Sequence, residues 1–250
     1  MLIKRLILVG LWLFAASSAF SQTFISQSSN HQTSGIDITV TAPASITDGD
    51  TMLAWYGNNS SDMTGVTLTG FTQIDFIDDL TTAANNVWIA CKVASSESGS
   101  YSFDATGGTS NSTAASITVF RGYDGCTLAI TYVKASHYVK LQNDLTPLPQ
   151  PISTVDNGDR VVIFAHTVST AGTPPSGIVP STGYTEHVEV AQNNRTMHVQ
   201  SKAITSSGTE TPDDITLTAA GSGSDTSLLT LALQQPASGG LLLRLRQEGQ

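Results

Sequence analysis

Asp48-Gly49-Asp50-Thr51-Met52-Leu53-Ala54-Trp55-Tyr56 is the stretch on which the fold turns, and Asn157-Gly158-Asp159-Arg160-Val161-Val162-Ile163-Phe164-Ala165 is its echo. Each is a tight polar turn feeding a short, almost unbroken apolar run. A strand buried on both faces reads this way, because neither face can carry the alternating polar residues of a half-solvated strand.

The segments downstream of the two copies repeat as well. Gly183-Tyr184-Thr185 answers Gly70-Phe71-Thr72, and Lys202-Ala203-Ile204 answers Lys92-Val93-Ala94. Asp214 to Thr218 answers Tyr101 to Ala105, and Leu228 to Leu233 answers Ala115 to Phe120. The landmarks recur in order at a nearly constant spacing, the mark of an internal repeat. The expected fold is all-β: two tandem antiparallel β-sandwich units, jelly-roll or immunoglobulin-like, related by internal duplication.

The second hairpin fixes its own register. With Asn193-Asn194 as the two turn residues of a type I′ turn, Val190 falls opposite Met197, Val188 opposite Val199, Glu189 opposite His198 and His187 opposite Gln200. One face is then apolar and the other polar, and a slip of one residue would mix them.

Composition divides the chain into six parts. Residues 1–21 read as a secretory signal peptide: Lys4 and Arg5, then an apolar run from Leu6 to Ala16, then small residues up to Ser21. The run falls well short of the ~20 residues of a membrane span. Residues 22–35 are Ser/Gln/Asn-rich and read as a flexible lead-in. The first unit covers 36–122, a connector 123–151, and the second unit 152–235. Residues 236–250 form a tail in which Leu241, Leu242, Leu243 and Leu245 stand beside arginines. That tail suits a strand given to the open edge of a neighbouring copy, which would make the protein its own partner.

The net charge is −9, and it grows more negative once Lys4 and Arg5 leave. An acidic chain with no basic patch is not a nucleic-acid binder. No later segment is long and apolar enough to span a membrane. The expected location is therefore secreted or on the cell surface, with the periplasm as the alternative. Cys91 and Cys126 read equally well as a disulfide, which export allows, and as buried free thiols.

Candidate chemistry is sparse. His187, Glu189 and His198 fall on the polar face of the second hairpin, where two imidazoles and a carboxylate suit a divalent metal. The competing reading is a solvated face with one Glu189–His198 cross-strand pair. Asp48, Asp50, Asp156 and Asp159 crowd the repeated turns. Calcium is the one cofactor such oxygens would suit, although Asp in turns more often bonds its own backbone. Trp88 lies opposite Val87, Ile89 and Cys91, with His198 as its repeat equivalent. An outward Trp88, joined by Tyr132 and Tyr138 of the connector, would form an aromatic platform for surface glycans. No nucleophile elbow or phosphate loop occurs.

Gly49-Asp50, Met52 to Tyr56, Gly70-Phe71-Thr72, Trp88 to Ala94 and Ile117 to Gly122 together resemble tandem β-sandwich modules of bacterial secreted and surface proteins and of phage tail or appendage proteins. The resemblance covers 36–122 well and 152–235 more loosely. It implies display, adhesion or particle structure, and supplies no catalytic residue. The expected function is a non-catalytic structural or adhesive protein at an extracellular surface or in an assembly. Two alternatives stand beside it: a carbohydrate-binding module, and a secreted hydrolase with an unrecognised site.

Overall fold

The strand that reads as buried on both faces is flanked on both edges and covered on both faces. A computed structural model describes residues 22–60, 62–77, 85–109, 112–126, 128–129, 148–149, 151–169, 176–219 and 224–236. Among these residues there is no helix. The strands are β1 (Thr23–Gln32), β2 (Ile38–Thr41), β3 (Thr51–Asn58), β4 (Met63–Leu68), β5 (Thr72–Ile77), β6 (Asn86–Val93), β7 (Ser100–Gly107) and β8 (Thr113–Arg121). They continue with β9 (Leu128–Ala129), β10 (Ile152–Val155), β11 (Arg160–Ser169), β12 (Ser176–Val179), β13 (Thr185–Gln192), β14 (Arg195–Ala203), β15 (Gly208–Glu210), β16 (Thr216–Ala219) and β17 (Ser224–Leu233).

All eight residues of β3 are buried. It pairs antiparallel with β6 on one edge and β8 on the other, inside a five-stranded sheet of order β1-β8-β3-β6-β5. The echo strand, β11, holds the same central place in a second five-stranded sheet, β13-β14-β11-β17-β9. A three-stranded sheet, β2-β7-β4, and two two-stranded sheets, β10-β15 and β12-β16, complete the antiparallel set.

Alternation along the strands sends side chains into three cores. Met52, Ala54 and Tyr56 of β3 meet Ile38 and Val40 of β2, Val66 and Leu68 of β4, and Phe103 of β7. The opposite side of β3 carries Leu53 and Trp55, which meet Val162 and Phe164 of β11 together with Met197, Val199 and Leu231. Val161, Ile163 and Ala165, the remaining face of β11, pack on Ile152, Ile178, Ile215 and Leu217. The two five-stranded sheets thus lie face to face, each covered on its far side by the smaller sheets. At the centre of the shared core the Trp55 and Phe164 rings stack with centroids 4.9 Å apart and planes 8° apart. Cys91 and Cys126 form a disulfide (S–S 2.06 Å), which decides the pairing left open by the sequence.

The structure corrects part of the chain division. Residues 22–35 are no loose lead-in: β1 runs from Thr23 to Gln32 and pairs along β8 from Arg121 to Thr113. The connector contributes β9, which pairs with Leu233 and Ala232 of β17. The signal peptide, Tyr132 and Tyr138 of the connector, and Leu241, Leu242, Leu243 and Leu245 of the tail lie outside the described residues. Among the described residues no helix is long and apolar enough to cross a membrane.

The second hairpin takes the register expected for Val188, Glu189 and Val190. Two details differ. Only Asn193 turns to positive φ (54°), as at the first position of a type II′ turn, so the turn is not type I′. A bulge between Glu186 and Val188 places Glu186, not His187, opposite Gln200.

Candidate functional site

Those of the described residues singled out for metal and glycan binding are dispersed or buried. The bulge swings His187 out of line with Glu189 and His198. Its ring stacks on Phe24 (centroids 3.8 Å, planes 12° apart), and Nε2 lies 2.6 Å from Ser201 Oγ. Glu189 instead accepts from the Gly177 amide (3.1 Å). His198 is fully buried, with the Glu186 carboxylate 3.6 Å from Nδ1. Among the described residues no group of three or more His, Cys, Asp or Glu side chains is placed to hold a metal ion.

Trp88, expected to face outward, is 1 % exposed. Its ring meets Phe103 edge-on and its Nε1–H donates to Gln73 Oε1 (3.0 Å), because the β2-β7-β4 sheet covers that face. Trp88 therefore presents no platform to a sugar, and neither does His198.

Burial sets the state of the histidines. It pushes His198 and His187 down to about 4, with the His187 imidazole beside the first and Arg160 beside the second adding less. His166 is pushed to about 3, by burial first and then by Arg195. His166 Nδ1 lies 2.6 Å from Asn85 Oδ1, while Asn85 Nδ2 donates to the His166 carbonyl (3.0 Å). That second bond fixes the Asn85 amide, so the imidazole carries its proton on Nδ1 and meets Asn85 as a donor. Ser201 and His187 make a Ser–His contact, but Ser201 is 1 % exposed and Arg160 Nη1 donates to the same Oγ (2.9 Å). A substrate has no access to that hydroxyl.

The repeated turns are where concave surface and carboxylates meet. In the first, Asp50 Oδ2 accepts the Thr47 amide (2.9 Å), Gly49 N–H donates to Ala94 O (2.9 Å), and Ala94 N–H donates to Asp50 O (2.8 Å). The second matches bond for bond. Asp159 Oδ2 accepts the Asp156 amide (2.8 Å), Gly158 N–H donates to Ile204 O (2.8 Å), and Ile204 N–H donates to Asp159 O (2.8 Å). Gly49 and Gly158 have φ of 90° and 99°, which only glycine adopts without strain.

The turns differ in charge. Arg121 grips Asp50 with a fork, Nε to Oδ1 at 2.7 Å and Nη2 to Oδ2 at 2.8 Å. Burial opposes ionisation of Asp50, but the bonds from Arg121 and Thr47 win and hold its carboxyl below the ordinary range. Asp159 is 1 % exposed, and among the described residues no arginine grips it; its Oδ1 accepts the Gln235 amide (2.9 Å). Beside Asp50 and Arg121 lies a concavity of about 290 Å³, rimmed by Asp48, Tyr123 and Pro236. Beside Asp159 lies one of about 500 Å³, rimmed by Asp124, Asp156, Asn157, Ser207, Gln234 and Pro236.

Further ion pairs recur. Lys92 reaches Glu97 at 2.7 Å and lies over the Phe71 ring at 5.8 Å, and Tyr101 donates to Glu97 (2.6 Å). Lys202 reaches Glu210 at 2.7 Å and lies over Tyr184 at 5.7 Å, and Tyr184 donates to Glu210 (3.2 Å). Sequence reasoning finds the lysines and aromatics of this pair but misses Glu97 and Glu210. The signal is there: each is the first carboxylate after a repeated Lys-containing strand. It also misses the roles of Arg121, His166 and Arg195.

Comparison with protein-family models, with curated proteins and with solved structures finds no match to this chain.

Proposed function

We propose that this chain is a non-catalytic, exported structural or adhesive protein, made of two tandem β-sandwich units related by internal duplication. The observation that carries this reading is the recurrence of the polar apparatus. The Asp turn and the Lys–Glu–Tyr cluster occur in both halves and are spent on strand-to-turn bonds and on covering core edges. The strand orders support duplication: β1-β8-β3-β6-β5 in one sheet corresponds position for position to β9-β17-β11-β14-β13 in the other. On this reading the counterparts of β2, β7 and β4 are β10, β15 with β16, and β12. The Cys91–Cys126 bridge supports export, since such bonds persist in oxidising compartments. The likeness of the first unit to modules of secreted, surface and phage appendage proteins supports a role in display or adhesion.

The reading is tested on the purified full-length protein by light scattering at rising concentration and by adsorption to immobilised glycans and matrix proteins. Self-association or saturable adsorption, without turnover of ester, amide or glycoside substrates, is the expected result. Turnover that tracks the protein through purification and falls with a single substitution would overturn it.

A further inference from the structure

Arg195, the first residue of β14, is 3 % exposed, and among the described residues no carboxylate pairs with it. Its Nη2–H donates to Asn194 Oδ1 (3.3 Å), but Nε and Nη1, both shut off from solvent, have no hydrogen-bond partner among the described residues. The other two arginines described spend their donors: Arg121 on Asp50, and Arg160 on Tyr123, Ser201 and Gln22. Burial pushes the Arg195 pKa down to about 10, so the guanidinium keeps its charge at neutral pH. A buried cation with no counter-charge is costly, because nothing replaces the water it has lost.

Arg195 lines a recess where the end of β1, the start of β8 and the β13–β14 turn come together, beside His31, Gln32, Ser112, Thr113 and Gln192. The chain carries 20 acidic residues against 11 basic ones, yet among the described residues no Asp or Glu lines this recess. Gln192, paired with Arg195 across the hairpin, has a buried Oε1 that is also without a partner. We infer that the recess binds a small monovalent anion of halide size, held by Arg195 Nε–H and Nη1–H. The inference does not depend on the structural or adhesive reading. Space sets the size of the ion. The recess holds about 170 Å³ in a form too narrow for a water-sized sphere, which favours a single atom over a phosphate or sulfate. The half-buried Gln32 and Gln192 side chains must shift slightly to admit it. A half-turn of the Gln192 amide then replaces its unpartnered oxygen with an N–H donor to the ion. Water in the same place would satisfy the donors but leave the charge uncompensated.

The test is a series of thermal melts of the full-length protein at fixed ionic strength, with sodium gluconate replaced stepwise by sodium chloride. The melting temperature is expected to rise with chloride, since an ion at ten times its dissociation constant raises the folding equilibrium constant about elevenfold. Two variants locate the ion. Arg195→Met removes the charge, and Gln192→Glu sets a carboxylate opposite Arg195 and supplies the negative charge in place. Both are expected to abolish the chloride dependence. Should Arg195→Met fail to fold, Gln192→Glu decides alone, since it is nearly isosteric and its position is half-buried. A wild-type melting temperature indifferent to chloride overturns the inference and leaves the donors to water. A rise that Gln192→Glu retains in full also overturns it, because the ion then acts elsewhere.

Discussion

Gly57 has no side chain because His166 fills the space one would need: a Cβ there would lie 2.5 Å from His166 Cδ2. Gly57→Ala is expected to cost about 1–3 kcal/mol in urea unfolding, and much less when His166 is also Ala, because the clash is then gone. His166, His187 and His198 add a pH dependence. Their folded values of about 3, 4 and 4 lie below the ordinary imidazole value of about 6.5, so the unfolded chain binds more protons between these limits. Stability is therefore complete above about pH 6.5 and falls as pH drops toward about 4. A melting-temperature series from pH 7.5 to about 4 should show that fall, and His198→Gln should flatten it. Individual residues are the least legible level of the sequence. His166, His198 and Gln200 are polar yet buried, and the partners that bond His166 and Gln200 come from distant segments, Asn85 and Ser181. Trp88 misleads because alternation alone assigns its face of β6 to the surface, although Ala90 and Ala94 share that face and are buried too.

Among the elements, β3 and β11 are readable because a strand covered on both faces needs an unbroken apolar run. The register of β13 against β14 is readable because only one alignment of Val188, Val190, Met197 and Val199 keeps an apolar face. The bulge at His187 leaves no such mark, and it is what removes His187 from the expected metal group. Strand β1 escapes a reading of the sequence because its Ser/Gln/Asn composition suits an edge strand and a loose segment alike. It is half-buried and bonded along the whole of β8. The disulfide ties β6 to the segment after β8 across 35 residues of sequence. Cys126→Ser is expected to lower stability by about 2–4 kcal/mol, read from the denaturant midpoint in the absence of reductant, and reductant should bring the wild-type protein to the same midpoint.

At the scale of the whole molecule, what matters is how the two five-stranded sheets meet. The repeated sequence landmarks do not separate one shared core from two independent ones, because the interface is made of ordinary strand positions. In the structure the core is shared: Leu53 and Trp55 of β3 enter the same cluster as Val162 and Phe164 of β11. The shared core joins the two five-stranded sheets, so their unfolding is expected to be cooperative. The stacked rings at the centre give the most direct test. A double-mutant cycle with Trp55→Leu, Phe164→Leu and the combined variant, read by equilibrium urea unfolding, isolates their interaction. We expect a coupling of about 0.5–1.5 kcal/mol, the size found for packed aromatic pairs. Strictly additive losses would contradict the face-to-face packing of the two five-stranded sheets.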